Sequence, residues 1–147
     1  MWQRRLIFSF LILTAVFHGG CADMHSMGQA MGGTDTLTKL FTSQLGVTSD
    51  QAMGGVGSIL SLAKERLSTM DFSTLTSLIP GADTFMKASR DLGAVTGPLG
   101  DATGLTTAFS RLGMGPDMVP KFTQILSDFV GKAGGQPARN LVAETVK

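Results

Sequence analysis

The sequence predicts an all-α protein, a small multi-helix bundle carried behind an N-terminal signal segment. Three observations predict it. Apolar residues recur three and four positions apart from Leu37 onward, caps and Gly/Pro stops punctuate those stripes, and no stretch alternates like a half-buried strand. At 147 residues, 43 % hydrophobic and 16 % charged, the chain can build one packed domain and is unlike a disordered polar chain.

The chain opens with a basic start, Met1-Trp2-Gln3-Arg4-Arg5. The apolar run Leu6 to Phe17 and a small-residue exit, His18-Gly19-Gly20-Cys21-Ala22, follow. Basic start, apolar middle and small exit are the parts of a secretory signal. The run is shorter than the roughly twenty apolar residues that a spanning helix needs. Residues 1–21 are therefore expected to be a signal peptide, and the protein to be exported. It would be periplasmic or membrane-anchored in a bacterial cell envelope.

Two cuts fit the exit, and they give Cys21 different fates. Gly20 before Cys21 resembles a lipoprotein signal, in which lipid on Cys21 attaches the protein to the membrane. His18 departs from the aliphatic residue usual in that motif. A cut after Ala22, with Gly20 and Ala22 as the small pair, removes Cys21 with the leader. Residues 22–34, rich in Gly, Met, Ser and Gln without an apolar period, read as a flexible tether. The helical domain is expected over 35–147.

Within it, Leu37, Leu40, Phe41 and Leu45 mark the first helix, which Gly46 ends. Thr48-Ser49-Asp50-Gln51 has the capping-box pattern of a second helix, with Val56, Ile59, Leu60, Ala63 and Leu67 as its buried stripe. Asp71 is expected to cap a short third helix carrying Phe72, Leu75, Leu78 and Ile79, stopped by Pro80-Gly81. A fourth covers Asp83 to Arg90. Gly93 to Gly104, with four glycines and a proline, is a loop. Leu105, Ala108, Phe109 and Leu112 form the next apolar face, closed by Gly113. Pro116 and Pro120 suit the opening of the following helix, which has the clearest stripe in the chain: Met118, Val119, Phe122, Ile125, Leu126, Phe129 and Val130. After Gly134-Gly135, Pro137 opens a last helix with Leu141, Val142 and Val146.

The segments 42–50 and 109–117 look alike: each is a helix end in Leu-Gly, an apolar residue, a cap and an Asp. A pair of related helical hairpins explains the match, and so does the generic grammar of any helix–Gly–cap–helix joint. In both explanations Asp50 and Asp117 suit helix starts through the macrodipole and are not a catalytic pair.

At Gln44-Leu45-Gly46-Val47, and at Gln51-Ala52-Met53-Gly54-Gly55-Val56-Gly57-Ser58-Ile59-Leu60, the chain resembles the VcgC/VcgE-type family of bacterial proteins of unknown function. Asp71-Phe72-Ser73, Ile79-Pro80-Gly81, Phe109…Leu112-Gly113 and Met118-Val119-Pro120-Lys121-Phe122 extend the likeness over most of residues 37 to 135. A more distant likeness is to YidB-like helical proteins, which share the Leu-Gly joint. The resemblance implies a small helical domain and brings with it no established activity or catalytic residues.

Composition excludes several chemistries. Without Arg4 and Arg5 the chain has ten basic against eleven acidic residues, too even for a nucleic-acid protein. One cysteine permits no internal disulfide and no Cys-based zinc site. His25 falls in the tether, away from any rigid base–nucleophile arrangement. Asp83, Asp91 and Asp101 are spaced too widely for a calcium loop. Lys64-Glu65-Arg66 reads as a solvated helix face. No enzyme and no cofactor are expected.

Two places merit weighing. Ala52, Gly54, Gly55 and Gly57 lie in a helix, where each glycine costs about 1 kcal/mol relative to Ala. Close approach of another backbone would offset that, either inside the bundle or across a partner surface. The G-x-G follows a cap and no strand, so it is not a dinucleotide loop. The second place is Met24, His25, Met27 and Met31, soft ligands suited to copper. A mobile linker that happens to hold methionines is the favoured explanation.

The sequence thus points to a non-catalytic binding or structural module of the envelope, acting through a protein partner or self-association. The alternative is a carrier of a small apolar or lipid ligand in an interhelical cleft, using Met53, Met70, Met86, Met114 and Met118.

Overall fold

The computed structural model describes the backbone of residues 28–147 and the side chains from Gly33 onward. Six helices run through them: α1 (Gly28–Leu45), α2 (Ser49–Arg66), α3 (Thr69–Ser77), α4 (Ala82–Asp91), α5 (Ala102–Arg111) and α6 (Met118–Thr145). The described residues contain no strand, and none of their helices is long and apolar enough to cross a membrane. The signal segment, Cys21, Met24, His25 and Met27 lie outside the described residues, as does the side chain of Met31.

α2 is the axis of the bundle. Every residue from Gly54 to Ala63 is buried, and the helix touches all five others, α4 most extensively. A helix covered on all sides must itself be apolar or small all round, and the sequence Gly-Gly-Val-Gly-Ser-Ile-Leu-Ser-Leu-Ala meets that demand. Its two buried hydroxyls bond backward within the helix, Ser58 Oγ donating to Gly54 O (2.7 Å) and Ser61 Oγ to Gly57 O (2.8 Å). Thr48 starts the helix with a complete capping box: Gln51 N donates to Thr48 Oγ1, and Thr48 N donates to Gln51 Oε1.

The fully buried large side chains include Phe41, Phe85, Phe109 and Phe122, drawn from α1, α4, α5 and α6. Phe122 is their hinge. It stacks on Phe41 with centroids 4.5 Å apart and meets Phe109 edge-on at 5.0 Å, both favoured ring arrangements. This trio fixes how α1 and α5 sit against α6.

Several boundaries differ from the sequence reading. α1 begins at Gly28, ahead of the expected Asp35. Gly33 and Thr34 are held by packing: a Cβ on Gly33 would strike the Pro80 ring, and the Thr34 methyl fills the space beside Gly81. These are tertiary contacts that local periodicity does not show. α3 is capped by Ser68 in place of Asp71. Ser68 Oγ accepts from Asp71 N (3.1 Å) and donates to the Asp71 carboxylate (2.7 Å), so Asp71 is the third helical residue and completes the cap from within. The 93–104 loop ends early, because Asp101 accepts from Thr103 N (2.8 Å) and Gly104 N (3.0 Å) and starts α5.

α6 is kinked at Gly135, whose φ of 64° and ψ of −156° are non-helical. Only glycine adopts such a pair cheaply. Pro137 then opens the terminal segment, and Ala138, Val142 and Thr145 bury themselves as it returns to the bundle. Gly46 (φ 67°) and Gly113 (φ 76°) end the two similar joints in the same left-handed conformation. The helices that follow them differ in role, α2 being central and α6 peripheral.

Candidate functional site

The glycine strip is occupied by the chain itself. Gly54 faces the methyls of Leu112 and Leu92, Gly55 faces the Phe122 ring, and Gly57 faces the Phe85 carbonyl and Ser89. Ala52 and the three glycines are all buried. These four residues are therefore packed against the chain's own side chains and backbone. The methionines are dispersed. Met70 is exposed, Met86 and Met114 are buried, and Met53 and Met118 are packed against the core from its margin.

An apolar opening lies elsewhere, between α1, the α3–α4 joint and α6. It is a groove of about 600 Å³ lined by Thr36, Lys39, Leu40, Ser43, Leu78, Pro80, Phe129, Lys132 and Ala133. Thr36, Lys39, Leu40 and Ser43 recur at helical spacing on α1, and Phe129, Lys132 and Ala133 do so on α6. These are the flanks of the two helices, next to the stripes Leu37/Phe41 and Phe122/Leu126/Val130 that face the core. The Phe41–Phe122 stack sets the helix separation at one end. At the other, Gly33 and Thr34 clamp α1 onto Pro80 and Gly81.

A second recess of about 370 Å³ shares Leu40, Phe129 and Lys132 with the groove and adds Gln44, Ile125, Asp128 and Arg139. Its wall depends on the break at Gly135, after which Arg139 lies back against the Asp128–Gly131 part of α6. Arg139 Nη1 then lies 3.3 Å from Asp128 Oδ1, and its stem crosses Gly131 where any side chain would collide. Apolar floor and polar end thus meet at Lys132.

A third recess of about 310 Å³ is lined by Ser61, Lys64, Glu65, Met86, Arg90 and the loop Val95 to Pro98. Here Glu65 is exposed on its helix face, as expected, and has a further role. Its carboxylate accepts from Leu99 N (2.9 and 3.0 Å) and Gly100 N (2.8 Å), tying the loop to α2. Arg111 holds the same loop by donating to Ala94 O (3.2 Å) and Thr96 Oγ1 (2.9 Å). Both side chains are engaged in structure.

Two carboxyls lie below the usual value. Backbone donors at Gly104 and Thr103 lower Asp101, and Lys121 lowers Asp117 through a hydrogen bond and its charge. Asp117 occupies the cap position of α6 without a side-chain cap bond, its carboxylate taken by Lys121 Nζ at 2.7 Å. Among the described residues no three His, Cys, Asp or Glu side chains gather as metal ligands. None of their buried side-chain nitrogens or oxygens lacks a hydrogen-bond partner.

The family model described as a protein of unknown function, VcgC/VcgE, matches residues 20–147. No curated protein and no solved structure matches the chain.

Proposed function

We propose that this chain, which belongs to the VcgC/VcgE family of proteins of unknown function, is a non-catalytic binding module that takes a small apolar ligand in the groove between α1 and α6. The observation that carries the reading is the groove itself. Leu40, Leu78, Pro80, Phe129 and Ala133 form an apolar lining around about 600 Å³, within the range of small-molecule sites. The helix-to-helix surfaces that would otherwise offer contacts are used inside the bundle, the glycine strip above all. That favours a ligand over a protein partner.

Residues 28–147 contain neither histidine nor cysteine, which supports binding without turnover. An exported, envelope-side address belongs to the same proposal. It rests on the basic start, the apolar run and the small exit of residues 1–22, with lipid on Cys21 as the means of attachment. In that setting a carrier for an apolar molecule has a use, because such molecules cross the aqueous space poorly alone.

Native mass spectrometry of the protein purified from its own cells tests the reading. A co-purifying mass displaced by organic solvent is expected. Ligand-free protein that also fails to take up a panel of apolar probes would refute it. The same spectrum reports whether Cys21 is acylated, removed or retained with the leader.

A further inference from the structure

The positive edge of the groove identifies the kind of ligand. Lys39 on α1 and Lys132 on α6 stand on opposite walls of the apolar lining. Among the described residues the ion pairs are Lys87–Asp91, Lys121–Asp117, Arg139–Asp128 and Lys147–Glu144. Neither groove lysine is in any of them. The carboxylates one turn before them are Asp35 and Asp128, and Asp128 is engaged by Arg139. Two ammonium groups therefore border a hydrophobic floor, neither of them in one of these ion pairs.

Resting on the ligand reading above, we infer that the groove takes a long-chain fatty acid, with the acyl chain across Leu40, Leu78, Pro80 and Phe129 and the carboxylate at Lys132. Polarity is arranged for such a molecule. Lys132 lines both the apolar groove and the polar recess of Gln44, Asp128 and Arg139, so it marks the point where a tail would end and a head begin. A carboxylate needs one cation and keeps its remaining hydration at the open mouth. A phosphate head is held best by a guanidinium fork or several converging donors, whereas the nearest guanidinium, Arg139, has one nitrogen 3.3 Å from Asp128.

Calorimetry on the full chain with palmitate and with hexadecanol, its neutral counterpart, tests the inference. Palmitate is expected to bind about two- to fivefold more tightly than hexadecanol, the range of a partly solvated charge pair. Added salt should narrow the gap. Lys132→Gln should bring palmitate down to the affinity of hexadecanol while leaving hexadecanol unchanged. Ala133→Trp, or Ser43→Trp on the facing wall, should block both with the helical circular dichroism retained. Equal binding of both probes to the unaltered chain, with both blocked by the tryptophan variants, would overturn the acidic head and keep the apolar-ligand reading. Failure of both probes would overturn the two together. Concentration-dependent dimerisation abolished by the tryptophan variants would assign the groove to a second copy and overturn the fatty-acid inference.

Discussion

A Cβ built on Gly57 would lie 2.6 Å from the carbonyl carbon of Phe85 and closer still to its oxygen, so α2 and α4 cross there backbone against backbone. Gly57→Ala therefore meets an atom that cannot rotate aside. The gain in helix propensity, about 1 kcal/mol, is outweighed by overpacking, and a net loss of about 3 kcal/mol is expected in denaturant unfolding. Gly54→Ala meets only the flexible methyls of Leu112 and Leu92 and should fall near neutral. Equal losses at the two positions would contradict the crossing.

Phe122 is expected to be the most sensitive of the ring residues, since it contacts both Phe41 and Phe109 and also covers Gly55. Phe122→Ala should cost about 3–5 kcal/mol. Phe41→Ala and Phe122→Ala should be non-additive in a double-mutant cycle, because each removes the other's stacking partner. Strict additivity would show that the two rings are independent.

Glu65 ties the loop at Leu99 and Gly100 to α2. Glu65→Ala should leave the far core intact and cost about 1 kcal/mol. Hydrogen exchange should quicken at the Leu99 and Gly100 amides. Unchanged protection at both amides would remove Glu65 from that role.

Asp101 carries an acid-sensitive cap. Its carboxyl titrates below the ordinary 3.8 in the folded chain because Gly104 and Thr103 N–H groups bond to the anion. Its contribution is complete above that unfolded value and disappears as pH falls through the lower folded one. Melting followed between about pH 5 and pH 2 should show a component lost on acidification that Asp101→Asn removes. The variant keeps a capping oxygen, so its melting temperature near neutrality should fall only slightly. An acid profile identical in both proteins would contradict this assignment.

Much of the fold was legible because its signals are local. Thr48 and Gln51 sit three apart and cap each other, and the break at Gly135 before Pro137 lies in adjacent residues. The glycines of α2 announced a close approach through their cost in a helix. Their partners, Phe85 and Phe122, come from other helices and left no mark nearby. Distance also hid the role of Glu65, whose amide targets are more than thirty residues away. The early start of α1 depends on Pro80 and Gly81 receiving Gly33 and Thr34, so a Gly- and Met-rich segment without periodicity gave no sign of it. The groove was illegible for a related reason. α1, the α3–α4 joint and α6 each contribute only a flank, and no single stripe describes the whole.

The central claim is that the groove between α1 and α6 is where this protein binds. The most direct measurement is an amide and methyl NMR titration of the full chain with palmitate. Shifts concentrated at Leu40, Leu78, Phe129, Lys132 and Ala133, with Gly54 to Gly57 unmoved, are the predicted result. Shifts centred on the Val95–Pro98 loop, or none at saturating probe, would contradict it.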